Sequence, residues 1–261
     1  MALTEEQRER YSRHIMLAQV GEAGQQRLLS SKVLLVGAGG LGSPAAVYLA
    51  AAGIGTIGIV DADKVDLTNL QRQIIHHTSD LGVEKVKSAQ TKMKAINPDV
   101  TVKTYHERVS AGNIRKIIRE YDFVIDATDN FPAKFLINDA CFFEKKPFSH
   151  AGVLRFDGQL MTILPGKSAC YRCIFHSLPT ADVARSSSRA GILGVLPGII
   201  GTLQATESIK FLLGIGNLLT DTLLTYNALT MEFRKVRLKR NLNCPLCGPN
   251  PIITELKDDS P

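Results

Sequence analysis

The run Gly37-Ala-Gly-Gly-Leu-Gly42, followed nineteen residues later by Asp61, has the residue types and spacing with which a polypeptide holds a nucleotide. Gly37, Gly39, Gly40 and Gly42 would let backbone N–H groups approach a phosphate. A helix opening there turns its positive end to the anion, and the acid takes a ribose hydroxyl. NAD and ATP both satisfy that description. Discrimination comes from the residues downstream: Asp63, then Thr68-Asn-Leu-Gln-Arg-Gln73, then Lys85. A helix end offers about half a positive charge while a terminal phosphate carries about −1.5 to −2, so a triphosphate needs added cations and a nicotinamide needs a flat pocket. Arg72 and Lys85 are of the right type, although each viewed singly also fits a solvated surface charge. Asp129 follows the apolar run Phe123-Val-Ile-Asp126. If that run is a strand, Asp129 lies where ligands of open α/β sheets collect, and its carboxylate suits Mg²⁺; on position alone it equally suits a loop cap.

Four of the five cysteines form two Cys-x-x-Cys pairs, Cys170-Tyr-Arg-Cys173 and Cys244-Pro-Leu-Cys247. This is the spacing of a tetrahedral Zn²⁺ site rather than of a disulfide framework or a redox pair, and four thiolates leave no open position for catalysis. The fifth, Cys141, follows Asn138-Asp-Ala in a helical pattern and reads as a small buried apolar residue. His76 and His77 have no recognisable partner nearby in the sequence, so both read as structural or solvent-facing, and no Ser/His/Asp set emerges.

The elements that must position these residues follow from periodicity. Residues 1–30 read as helical, with Tyr11, Ile15 and Leu17 as packing contacts. Val33–Val36 and Thr56–Val60 are unbroken β-rich runs separated by a small-residue helix from Ala45 to Ala52, a β-α-β unit. Val86, Ala89, Met93 and Ile96 mark a helix ended by Asn97-Pro98. A strand from Val100 to Tyr105, a helix over 111–120, the strand 123–126, a helix over 132–144 and a strand over 147–151 continue the alternation of a doubly wound, Rossmann-like and mainly parallel sheet. The pattern then changes. Asp157-Gly158 signals a hairpin, a helix spans Gly198 to Gly214, and Leu223–Ala228 and Met231–Leu238 read as strands, so an antiparallel C-terminal half is expected. The last of these strands carries five cations in the seven residues after Phe233, with a one-residue slip in its apolar pattern that suggests a bulge. Residues 180–189 read as a mobile loop and the tail from Gly248 as frayed.

Composition bounds the function classes. The chain has 261 residues, 44% hydrophobic and 21% charged, enough for a sizeable core and incompatible with wholesale disorder. Lys and Arg exceed Asp and Glu by six, which favours anionic ligands such as phosphates without demanding nucleic acid. No secretory leader reads in the charged first residues, and the apolar stretch from Gly198 carries Gln204, Glu207 and Lys210, so a cytoplasmic protein with no membrane anchor is expected.

Taken in order, Val36-Gly-Ala-Gly-Gly-Leu-Gly-Ser43, Asp61-x-Asp63, Asn69-Leu-Gln-Arg-Gln73, Lys85, Asp126-Ala-Thr-Asp-Asn130 and the two cysteine pairs resemble the MoeB/ThiF group of adenylating enzymes, bacterial relatives of ubiquitin-activating enzymes. The resemblance runs from about Arg10 to Gly248. It implies one adenylation domain: an N-terminal helical segment 1–30 that contacts a second subunit, a nucleotide-binding α/β part 31–154, a part 155–248 with antiparallel strands, a crossover loop and a structural zinc site, and a tail 249–261. It implies Mg-ATP as the nucleotide and the C-terminal glycine carboxylate of a small β-grasp sulfur-carrier protein ending in Gly-Gly as the acceptor, in a molybdopterin- or thiamin-type pathway. The nucleotide contacts would be drawn from Gly37, Gly39, Gly40, Gly42, Asp61, Asp63, Thr68, Asn69, Leu70, Gln71, Arg72, Lys85, Asp129 and Asn130, with Asn69, Arg72 and Lys85 on the phosphates and Asp129 on the magnesium. Arg13 would act across a homodimer, in a segment where the group more often has Gln at the position of His14. The group's usual loop cysteine falls at Ser187, which cannot carry a persulfide, so sulfur is expected from an external donor, unless the serine is an engineered replacement. Three other readings remain: adenylation of a tRNA nucleoside or peptide C-terminus, an NAD-dependent oxidoreductase, and a scaffold that has lost catalysis.

Overall fold

The computed structural model describes residues 2–178 and 190–258. Eight strands form a single sheet in the order β3-β2-β1-β4-β5-β6-β7-β8. They are β1 Lys32–Val36, β2 Thr56–Val60, β3 Thr101–Tyr105, β4 Phe123–Asp126, β5 Phe148–Leu154, β6 Asp157–Ile163, β7 Thr222–Asn227 and β8 Glu232–Arg237. Pairing is parallel from β3 to β5 and antiparallel from β5 to β8. The expected two halves are thus one continuous sheet.

Alternation along β1 divides the core. Val33 and Leu35 join a cluster built with α4 (Gly42–Ala51), α5 (Lys85–Ile96) and α9 (Leu196–Leu213). Leu34 and Val36 join another built with α6 (Ile114–Ile118), α7 (Phe131–Phe143) and α8 (Tyr171–Ile174). Strands covered on both faces need side chains that are apolar on both, which is why β1, β2 and β4 read as unbroken hydrophobic runs.

The N-terminal segment forms α1 (Glu5–Arg10), α2 (Ser12–Ile15) and α3 (Gly21–Ser30). Tyr11 is buried as expected, its ring against Gly53 and its hydroxyl accepting from Asn97 Nδ2 at 2.8 Å, but Leu17 is exposed and is not a packing contact. The β5–β6 turn lies at Arg155-Phe156, with Leu154 opposite Asp157, two residues before the Asp-Gly pair. Arg155 itself supplies the left-handed φ of 53° that the turn requires, a position where glycine is the usual reader. β8 pairs with β7 without interruption from Glu232↔Asn227 to Arg237↔Thr222, so the slip in its sequence is not a bulge. The pattern breaks because β8 is an exposed edge strand whose residues answer to no buried face. The tail is not frayed over its described part: Ile253 and Leu256 pack on the core, and Ala111 N–H donates to Asp258 at 2.7 Å. Among the described residues no helix is long and apolar enough to cross a membrane.

Candidate functional site

The glycine turn joins β1 to α4 at the carboxyl end of the sheet. Gly37 has φ +107°, and a Cβ there would stand 2.6 Å from the Ala127 carbonyl oxygen; one at Gly42 would stand 2.0 Å from the oxygen of Gly37. The first and last glycines are therefore fixed by backbone crowding, independently of any ligand. Gly39 and Gly40 are less crowded: a Cβ at Gly39 would stand 3.6 Å from Gln73, and one at Gly40 would stand 3.1 Å from Pro197 and 3.5 Å from Arg72. Gln73 is buried and its Oε1 has no hydrogen-bond partner among the described residues.

Asp61, one residue past β2, accepts from Ala38 N–H at 2.8 Å with Oδ2 and from Asp63 N–H at 2.9 Å with Oδ1. Each oxygen keeps a second lone pair for a ribose hydroxyl. Lys85 opens α5; its backbone N–H donates to the Asp63 carbonyl at 2.9 Å and its ammonium lies 3.1 Å from Asp63 Oδ2. That ammonium is almost wholly desolvated, with 7% of the side chain exposed against 59% for Asp63. Between them runs a short 3-10 turn, Leu67–Asn69, capped by Asp66, whose Oδ1 accepts from Thr68 N–H at 2.9 Å and from the Thr68 hydroxyl. Those hydrogen bonds hold the Asp66 carboxyl below the usual range. Asn69 returns the cap by accepting from Asp66 N–H, and Arg72 is half-buried, donating to the Thr68 carbonyl at 3.0 Å. Leu70 is half-buried, while Gln71 packs its side chain and carbonyl against Gly194.

Asp129 is exposed in the loop after β4, and Asn130 caps α7 by accepting from Ala133 N–H at 3.0 Å. Glycine turn, Asp61, Asp63, Lys85, Arg72 and Asp129 thus collect at the carboxyl ends of β1, β2 and β4, which is where the topology reverses direction. Arg13 does not join them. It is exposed on α2, beside Tyr11, and Tyr11 packs at the far ends of α4 and α5. Ser187 lies outside the described residues.

Several buried polar residues behind the site carry no signal in the sequence. Asp126 ends β4 fully buried and is held by the Lys134 ammonium at 3.3 Å, His150 Nδ1 at 2.8 Å and the Thr128 hydroxyl at 2.6 Å, while Gln204 Nε2 donates to its carbonyl at 2.8 Å. Burial alone would raise the Asp126 carboxyl; the Lys134 charge and the His150 and Thr128 hydrogen bonds reverse this and bring it down to about 2. His76 is not solvent-facing: it is buried and hydrogen-bonded at both ring nitrogens, to Ala38 O and Ser88 Oγ. His77 is exposed, and its backbone N–H donates to Asp80 at 2.8 Å. Cys141 is buried within the second core cluster, with its thiol pushed up by burial.

The four remaining cysteines meet. All four sulfurs lie within 4.8 Å of one another, with Cys170–Cys173, Cys170–Cys244 and Cys173–Cys247 at 3.8, 3.6 and 3.4 Å. A tetrahedron of sulfurs at about 2.3 Å from one ion has edges of about 3.8 Å, so the set is positioned to bind a metal.

The family model described as the ThiF family matches residues 11–246. The chain belongs to the ThiF family. Its ThiF-family relatives include "SAMP-activating enzyme E1" of Haloferax volcanii, 45% identical over 252 residues that cover 97% of this chain and 93% of the relative. They also include "Sulfur carrier protein adenylyltransferase" of Thermus thermophilus, 44% identical over 263 residues covering 99% and 97%. "Adenylyltransferase and sulfurtransferase MOCS3" of Sus scrofa is 40% identical over 258 residues, 98% of this chain but 57% of that one. Among solved structures, Escherichia coli MccB with ATP superposes with a TM-score of 0.79 at 24% identity, over 91% of this chain and 74% of that one, a likeness of fold. With relatives of this identity and coverage named adenylyltransferases, the protein is an adenylyltransferase.

Proposed function

We propose that the protein uses Mg-ATP to adenylate the C-terminal glycine carboxylate of a small β-grasp sulfur-carrier protein, in a pathway of the molybdopterin or thiamin type. The observation that carries this reading is the meeting of the glycine turn with a desolvated lysine and a half-buried arginine at the carboxyl end of the sheet. Support for the acceptor comes from relatives above 40% identity whose names specify SAMP or a sulfur-carrier protein. A carboxylate oxygen attacks the α-phosphorus, the bond to pyrophosphate breaks, and an acyl-adenylate remains. The attacking group is already ionised, so no general base is needed. Positioning is worth up to about 7–11 kcal/mol in such steps, with cations stabilising the charge that develops. Lys85 and Arg72 would take the phosphate oxygens, Asn69 a neighbouring oxygen, Asp61 the ribose and Asp129 the magnesium.

The four-cysteine set fits zinc, whose role in a closed thiolate site is to tie the segment at 170–173 to the one at 244–247. Arg13 would serve the site of a second subunit in a homodimer. The sulfur atom would come from an external donor. ATP–pyrophosphate exchange tests the reading: we expect exchange that depends on a carrier ending in Gly-Gly and disappears when that pair is removed. Exchange driven by a tRNA or a short peptide instead, or NADH binding without ATP binding, would overturn it.

A further inference from the structure

The glycine turn is gripped from behind by a side chain that the transfer step does not use. His76, 4% exposed, places Nε2 2.9 Å from the Ala38 carbonyl oxygen. A carbonyl only accepts, so Nε2 carries a hydrogen and donates it. On the other side, Nδ1 lies 2.8 Å from Ser88 Oγ on α5, and that hydroxyl lies 2.9 Å from Asp80 Oδ2. Asp80 also receives the Lys92 ammonium and His77 N–H. Ser88 has a single hydrogen and the Asp80 carboxylate can only accept it, so the Ser88 oxygen meets Nδ1 as an acceptor, and the Nε2–H bond to the Ala38 carbonyl stands independently of it.

What this does to the turn follows from peptide geometry. The Ala38 carbonyl and the Gly39 N–H belong to one planar trans unit and point in opposite directions. Drawing the oxygen inward onto His76 therefore turns the Gly39 N–H outward. The preceding unit is held as well, since Ala38 N–H donates to Asp61. Neither Gly39 nor Gly40 N–H has an acceptor among the described residues. Without the imidazole, the Ala38–Gly39 unit would be free to rotate, because a glycine on its C-terminal side tolerates either orientation.

We propose that His76 is a positioning residue that locks the Ala38–Gly39 peptide so that the Gly39 N–H faces the nucleotide phosphates, with Ser88 and Asp80 setting the ring's orientation. This rests on the reading of the turn as a phosphate site. Calorimetry with ATP and with adenosine, on the full-length protein, separates positioning from support of the fold. For His76→Ala we expect ATP affinity to fall about tenfold or more, the scale of one hydrogen bond to a charged group, while adenosine affinity stays within about twofold. His76→Gln, which keeps an N–H donor at a similar reach, should recover most of the loss, and Ser88→Ala should fall between. Nitrogen-15 NMR of the unsubstituted protein should show a hydrogen on Nε2. Equal loss for ATP and adenosine, no loss for either, or an Nε2 without a hydrogen overturns the proposal. Should His76→Ala not fold, the Ser88→Ala comparison and the hydrogen on Nε2 decide. Failure of the unsubstituted protein to bind ATP would overturn the phosphate reading itself.

Discussion

Two buried lysines near the site differ in what they are paired with, and that difference separates function from stability. Lys85 is desolvated but its counter-charge, Asp63, is more than half exposed. Removing the ammonium leaves a carboxylate that water can solvate, so Lys85→Met should keep its unfolding free energy within about 1 kcal/mol. If Lys85 serves the phosphates, the same variant should lose about 10²–10³ in kcat/KM for carrier-dependent pyrophosphate exchange. A retained exchange rate would remove Lys85 from the site. Lys134 is the opposite case, because its partner Asp126 has no exposed surface. Lys134→Met strands a buried charge and should cost about 3–5 kcal/mol in urea unfolding at pH 7. The sign of the pH dependence follows from the same pair. The Asp126 carboxyl sits at about 2 in the folded chain, against 3.8 as its ordinary value, so the folded form resists protonation. Its stabilisation is complete above the ordinary value and is lost as pH falls from about 4 towards 2. Urea midpoints over that window should fall less steeply in Asp126→Asn than in the unsubstituted protein, and parallel slopes would refute the assignment.

At the level of elements, the parallel strands were legible because their burial on both faces writes itself into consecutive residues: Phe123–Asp126 and Thr56–Val60 match the expected runs to the residue. The antiparallel edge was less so. β8 has only Val236 partly buried among its six residues, and a strand with no packed face leaves no period to read. The Arg155 turn escaped because its left-handed residue is not a glycine. In the site, Asp61 and Lys85 were legible from local spacing, whereas the links from Asp126 to His150 and Gln204 cross 24 and 78 positions and have no local signature. The cysteine pairs were the exception, since Cys-x-x-Cys announces a half-site that only a second half-site completes. One zinc per chain is expected by atomic emission, and Cys244→Ser should lower Tm by about 10 °C or more while leaving pyrophosphate exchange at low temperature largely intact. Equal loss of exchange at every temperature would make the site more than a staple. The cations of β8, Arg234, Lys235 and Arg237, are all exposed. Reversing them should slow association with an acidic carrier about tenfold at low salt and little at high salt. A rate that ignores the reversal would place carrier docking elsewhere.

Across the whole molecule, the placement of Arg13 decides which site it could serve. α4 and α5 both start at the glycine turn's end of the sheet, and at about 1.5 Å per residue they end about 15 and 18 Å away. The N-terminal segment is fastened at those far ends: Tyr11 against Gly53 and Asn97, Arg10 on the Ile96 carbonyl at 3.2 Å, Gln7 on Asp99 at 3.1 Å. An arginine side chain is far too short to return over that distance, so Arg13 can act at the nucleotide only by reaching a second copy. In a twofold dimer such an exchange is reciprocal, each subunit lending Arg13 and using its own Lys85. Arg13→Ala and Lys85→Ala should each be inactive as homodimers. Mixed and allowed to exchange subunits, half the dimers become heterodimers, and one of the two sites in each holds both native residues, so about a quarter of the native activity should return. A mixture as inactive as its components would confine Arg13 to a structural part in its own subunit, and full activity of Arg13→Ala alone would remove it from catalysis.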